Sequence, residues 1–90
     1  MKRISITAKG KVQGVFYRAN TEKTAKEIGL TGFVRNESNG NVYIEAQGTQ
    51  EQLDELVKWC KRGPERAKVE EIIVKEISLV EESGFKTIRS

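Results

Sequence analysis

Histidine is absent from all 90 residues, and cysteine, proline, methionine and tryptophan occur once each. Without histidine there is no Ser-His-Asp triad, no Cys-His pair and no imidazole metal ligand. The lone Cys60 can form neither an intramolecular disulfide nor a paired-cysteine zinc site. It falls on the apolar stripe of a helix and reads as a small core hydrophobe. Apolar runs are short, none exceeding three residues (Ile72-Ile73-Val74 is one), whereas a membrane helix needs about 20. Met1-Lys2-Arg3 is basic, but strand-like alternation follows it in place of an apolar signal core. The cytoplasm is the expected compartment. Charge of one sign is scarce too: 16 basic and 13 acidic residues leave a net charge of +3. This suits an anionic ligand but is not the basic stripe of a nucleic-acid binder. Any catalysis has to run without the usual proton shuttle.

What is present is a clean alternation of strand and helix patterns in a chain sized for one domain, residues 1–90. Ile4, Ile6 and Ala8 alternate with Ser5, Thr7 and Lys9, which predicts a half-buried strand. Gly10 to Tyr17 is a glycine-punctuated loop. Ala19 to Ile28 reads as a weakly amphipathic helix with Ala19, Ala25 and Ile28 inward and Gly29 as its stop. Thr31 to Ser38 is a second strand, followed by Asn39-Gly40, the strongest two-residue hairpin signal. Val42, Ile44 and Ala46 then line the inner face of a third strand. Thr49 caps the next helix with Gln52 completing a capping box. Leu53, Leu56, Val57 and Cys60 form a single stripe on it, and Gly63-Pro64 ends it. Ala67 to Ile77 is β-rich but breaks alternation at Ile72-Ile73-Val74, which predicts a bulge or two covered faces. Phe85 and Ile88 suggest a short closing strand.

The order β-α-β-β-α-β predicts an α+β ferredoxin-like sandwich. Two helices pack on one face of an antiparallel sheet, with a short C-terminal strand added. In that topology strand 3 lies between parallel strands 1 and 2, so the C-terminal ends of those two point the same way, roughly 10 Å apart. Two segments meet there: Gly10 to Arg18, and Gly32-Phe33-Val34-Arg35-Asn36. Glycines at 10 and 14 let the first turn so that successive amides face one point, an anion-binding nest. A helix begins directly after, with its N-terminal partial positive charge. Arg18 sits at that junction, and its planar fork holds two phosphate oxygens at once. Together these describe a phosphate cradle.

The spelling Gly10-x-Val12-Gln13-Gly14-Val15-x-Tyr17-Arg18 resembles the phosphate-loop signature of the acylphosphatase family. Gly32-Phe33-Val34-Arg35-Asn36-x-x-x-Gly40-x-Val42, closing at Gly48, is similar to its second signature, and Gly63-Pro64-x-x-Ala67-x-Val69 to its usual ending of helix 2. The resemblance runs from Ile4 to Ile88. It implies hydrolysis of the mixed anhydride of a carboxylic and a phosphoric acid, without metal or cofactor, releasing carboxylate and inorganic phosphate. It also implies that Arg18 and the loop amides of Gln13, Gly14, Val15, Phe16 and Tyr17 bind the phosphoryl group, while Asn36 holds the attacking water. Phe16-Tyr17 departs from the family's more usual glycine-phenylalanine or paired phenylalanines, a matter of packing.

This chemistry needs no histidine. The leaving carboxylate has a conjugate acid of pKa near ~4 and departs as an anion. Phosphoryl transfer through a loose transition state asks little of a base, so positioning and charge stabilisation remain. The partner expected is a small acyl phosphate, with no nucleic acid, no membrane and a monomeric protein.

Other residues read more plainly. Arg35 should point away from Asn36 as a solvated charge, Trp59 is a core-edge aromatic, and Asn20 is a candidate to support the loop by hydrogen bonding. Lys61, Arg62, Arg66 and Lys68 solvate the end of helix 2. The alternative is a phosphate- or RNA-binding module on the same fold without catalysis. An RNA module stacks bases on an aromatic sheet face, and only Phe33 and Tyr43 are available here. Similar domains also open large hydrogenase-maturation carbamoyltransferases, but a free-standing enzyme is expected.

Overall fold

A computed structural model describes residues 1–89. The chain runs β1 (Lys2–Lys11), α1 (Tyr17–Ile28), β2 (Thr31–Asn36), β3 (Val42–Gly48), α2 (Gln50–Arg62), β4 (Lys68–Ile77) and β5 (Phe85–Ile88). The five strands form one sheet in the order β4-β1-β3-β2-β5. β1, β2, β3 and β4 pair antiparallel with their neighbours, but β5 pairs parallel to β2, so the sheet is mixed rather than purely antiparallel. Both helices cover one face, α1 over β2 and β5, α2 over β1, β3 and β4. This is the ferredoxin-like sandwich that the element order predicts.

Period-two burial decides which strand residues face the helices. Ile4, Ile6 and Ala8 of β1 are buried beside their β3 partners Ala46, Ile44 and Val42. Asn36 also pairs with Val42, from the other side. Ala8 and Asn36 therefore flank the same residue on parallel strands, about 10 Å apart by two strand spacings. α2 starts at Thr49, whose hydroxyl accepts from the Gln52 amide while the Gln52 side chain accepts from the Thr49 amide. Its buried stripe is Leu53, Leu56 and Cys60, with Val57 half-buried.

Three local expectations are corrected. α1 begins at Tyr17, two residues early, and its inner face is Tyr17, Thr21 and Ala25, with Ala19 exposed. The cause is an i, i+4 series anchored by Tyr17, which leaves Ala19 roughly 200° round the helix. Tyr17 is fully buried, and its hydroxyl donates to the Cys60 carbonyl at 2.7 Å. That carbonyl would otherwise look to residue 64, which is a proline without an N–H. Second, β2 ends at Asn36, and Asn39-Gly40 is not the central pair of a two-residue hairpin. The Gly40 amide instead donates to the Glu37 carbonyl and the Glu37 amide to the Asn41 carbonyl. Ser38 and Asn39 are thus central in a wider loop. Third, Gly10 lies inside β1. The anticipated bulge is in β4, where the register jumps from Lys9↔Glu71 to Gly10↔Val69 and leaves Glu70 extra. Gly10 has φ 119, and a side chain there would collide with the Lys68 carbonyl oxygen.

The open face carries the segment that leads to β5. The buried Arg3 guanidinium bonds Glu45 and Glu82, each at 3.0 Å. The Gln47 side chain clamps Val80 from both sides, donating to its carbonyl at 3.0 Å and accepting from its amide at 3.1 Å. Residues 78–84 are thereby tied across the sheet, and β5 is delivered to the far edge beside β2. Arg35 is exposed as expected, with its guanidinium 4.5 Å from the Tyr43 ring centre and 5.7 Å from that of Phe33.

Candidate active site

The site lies where β1 gives way to α1. Gly14 has φ 73, and a Cβ placed there would meet nothing within 4 Å. The backbone twist, rather than crowding, calls for glycine, and the loop surface stays open to a ligand. Phe16 follows in the left-handed region with φ 64, the only non-glycine residue with positive φ among the described residues. This conformation costs about 1–2 kcal/mol for a residue with a side chain. It is held by Asn20, whose backbone amide (3.1 Å) and side-chain amide (2.9 Å) both donate to the Phe16 carbonyl. Asn20 supports the loop through that pair.

Phe16 is also the N-cap of α1, yet makes no side-chain capping bond, and the first turn carries no acidic residue. Among the described residues, the amides of Gly14 to Arg18 donate to no backbone carbonyl. An uncapped helix start with several free N–H groups is a site of positive potential that an anion can occupy.

Gln13 works differently. Its side-chain amide donates to the carbonyls of Glu37 and Asn41, both at 2.8 Å. This staples the loop to the β2–β3 turn and fixes its distance from the end of β2. Val15 points into the core, as does the Tyr17 ring, which packs 5.3 Å from Trp59. Trp59 thus sits at the core edge. Burial and the Cys60 contact push the Tyr17 hydroxyl well above the ordinary phenol range. Burial also pushes the Cys60 thiol up to about 12, which removes it as a nucleophile.

A pocket of about 440 Å³ opens at this point. Of the residues singled out in the sequence, Gly14, Phe16, Tyr17, Arg18 and Asn36 line it, while Gln13 and Val15 do not. Arg18 is on the first turn of α1, and one guanidinium nitrogen donates to the Ile88 carbonyl at 3.3 Å. Asn36 ends β2 on the helix-facing side, since its partner Val42 is buried there. Its side-chain oxygen is buried and has no hydrogen-bond partner among the described residues. An orphaned buried acceptor is uncommon and costs about 1–3 kcal/mol unless a water donates to it.

The sequence reading missed Ala19, Glu22, Thr87 and Arg89, which also line the pocket. Glu22 is one turn on from Arg18, so helical spacing alone could have indicated it. Its carboxylate accepts from the Thr87 hydroxyl and pairs with Lys26 at 2.7 Å. The Lys26 ammonium and the Thr87 hydroxyl hold it below the usual carboxylate range. No spacing rule could have indicated Thr87 or Arg89, which arrive only because β5 docks beside β2.

Fold and site together define a ferredoxin-like sandwich whose loop-helix junction sets backbone amides without carbonyl partners and an arginine at an open pocket. Comparison with known proteins narrows that class. The acylphosphatase family model matches residues 4–87. An acylphosphatase of Marinobacter nauticus is 48% identical over 88 residues, covering 97% of this chain and 96% of the relative. One of Methylococcus capsulatus is 45% identical over 90 residues, covering 99% and 98%. The crystal structure of acylphosphatase from Bacillus subtilis superposes with a TM-score of 0.96 at 33% identity, covering 99% of this chain and 100% of that one. This chain belongs to the acylphosphatase family and is an enzyme of the acid-anhydride hydrolase class. No described helix is long and apolar enough to cross a membrane.

Proposed function

We propose that this chain hydrolyses small acyl phosphates as a monomeric single domain. In this reading Arg18 and the loop amides hold the phosphoryl group, and Asn36 orients the attacking water. The observation that carries the assignment is that Asn36 lines the same pocket as Arg18 and has a buried side-chain oxygen without a partner. An unpartnered oxygen is free to accept an O–H from a water that enters the pocket, which would aim the lone pairs of that water away from Asn36.

The reaction then balances simply. A bond forms from the water oxygen to phosphorus as the bond from phosphorus to the carboxyl oxygen breaks. The carboxylate leaves with the electron pair and needs no proton, its conjugate acid having a pKa near ~4. One water proton passes to a phosphoryl oxygen, because an asparagine amide accepts none at neutral pH. Charge on the equatorial phosphoryl oxygens is met by the Arg18 fork and by backbone N–H groups fixed before the reaction begins. Gln13 acts at one remove, as a positioning residue that holds the loop against the strand bearing Asn36.

The test is hydrolysis of benzoyl phosphate with EDTA present, with p-nitrophenyl phosphate as the control ester. The wild type should cleave only the anhydride. Arg18→Ala should lower kcat/KM by at least about 10²-fold and weaken competitive inhibition by inorganic phosphate, since it removes charge from ground and transition states alike. A folded wild type that cleaves neither compound would leave the cradle as a phosphate-binding surface only.

A further inference from the structure

We propose that Phe16 and Ala19 form an acyl-side subsite that takes a flat, uncharged, apolar acyl group such as an aryl carboxylate. The proposal rests on the hydrolase reading above and adds a substrate class to it.

The phosphate loop uses Phe16 only through its backbone, and for that purpose glycine would serve without strain at φ 64. The ring is 71% exposed, so it gains little from burial in the free protein. Its carbonyl is already held twice by Asn20. A strained backbone that displays a bare aromatic ring at the wall of a pocket points to something that packs on the ring.

The space to do so is present. A phosphoryl group displaces on the order of 100 Å³, about three times the share of one water in the liquid. More than half of the 440 Å³ pocket therefore remains for the acyl portion. Ala19 lies three residues on from Phe16 at the start of the same helix and also lines the pocket. Its single methyl leaves open the volume that a longer side chain would fill. Glu22 lies one turn further, with its carboxylate fixed by Lys26 and the Thr87 hydroxyl. A fixed negative charge there disfavours an acyl group that carries its own carboxylate. Arg18 and Arg89 are the two cations that line the pocket. An aromatic acyl ring offset over Phe16 makes the contact that this wall is shaped for.

The measurement is kcat/KM for benzoyl phosphate relative to acetyl phosphate, in wild type, Phe16→Gly, Phe16→Tyr and Ala19→Met. The benzoyl-to-acetyl ratio should fall about fivefold in Phe16→Gly, the factor a single aromatic pair supplies. It should stay within about twofold of wild type in Phe16→Tyr, which keeps the ring. Ala19→Met should lower the ratio as well, by filling the gap. Phe16→Leu repeats the test without changing backbone freedom, in case Phe16→Gly loosens the loop. A ratio unmoved in Phe16→Gly and Phe16→Leu, with both compounds hydrolysed by wild type, overturns the subsite and leaves the hydrolase intact. A folded wild type that cleaves neither compound overturns both readings.

Discussion

Replacing Asn36 by alanine should move stability and turnover in opposite directions. The Asn36 oxygen is buried without a partner, a state that costs about 1–3 kcal/mol when dry. If the proposed water occupies the pocket it offsets part of that, so the lower end applies and removal of the amide returns about 1 kcal/mol. No sealed void is created, because the position lines a pocket rather than the core. For a domain of this size, about 1 kcal/mol raises Tm by roughly 4–8 °C. Turnover goes the other way: losing the group that aims the water should reduce kcat by about 10²–10³-fold. Inhibition by inorganic phosphate should be nearly unchanged, since Arg18 and the loop remain. Calorimetry and a benzoyl phosphate progress curve on the same sample measure both effects. A variant that melts lower than wild type, or that keeps kcat within about threefold, refutes the assignment of the orphaned oxygen to the attacking water.

Other outcomes follow from single contacts. Gln13→Ala removes both bonds to the β2–β3 turn and should cost about 1–3 kcal/mol in urea denaturation. It should lower kcat more than it weakens phosphate binding, because the loop drifts from Asn36 while its amides persist. Tyr17→Phe strands the Cys60 carbonyl opposite Pro64 and should cost about 1–3 kcal/mol with little change in KM. Glu22→Gln tests pH dependence. The folded-state pKa of Glu22 lies below its ordinary value of 4.5, so the stabilisation is fully present above pH 4.5 and fades as pH falls through the lowered value. The stability gap between wild type and Glu22→Gln should therefore close in an acid titration, and a gap that widens toward low pH would contradict the pairing with Lys26 and Thr87.

The sequence by itself determined what depends on near neighbours. Alternation at Ile4, Ile6 and Ala8, the stripe Leu53-Leu56-Cys60 and the Thr49–Gln52 cap are each encoded within a few residues, and all appear as read. The spelling from Gly10 to Arg18 and the run ending at Asn36 likewise mark their segments, because loop twist and helix start are short-range properties. Tertiary structure decided whatever depends on residues far apart in the chain. The phase of α1 turned on whether Tyr17 could reach Cys60, 43 positions away, and with it whether Ala19 faced core or pocket. The β2–β3 turn closed at Glu37–Gly40, with Ser38 and Asn39 central, and Gln13 anchors it. β5 chose a parallel place beside β2 because Arg3 and Gln47 hold residues 78–84 across the sheet, and that choice alone brings Thr87 and Arg89 to the pocket. Periodicity records which face of an element is apolar but not which partner covers it, so Gly14 to Arg18, Asn36 and, by helical spacing, Glu22 were legible in the sequence, whereas Thr87 and Arg89 came only with the packing of the sheet edge.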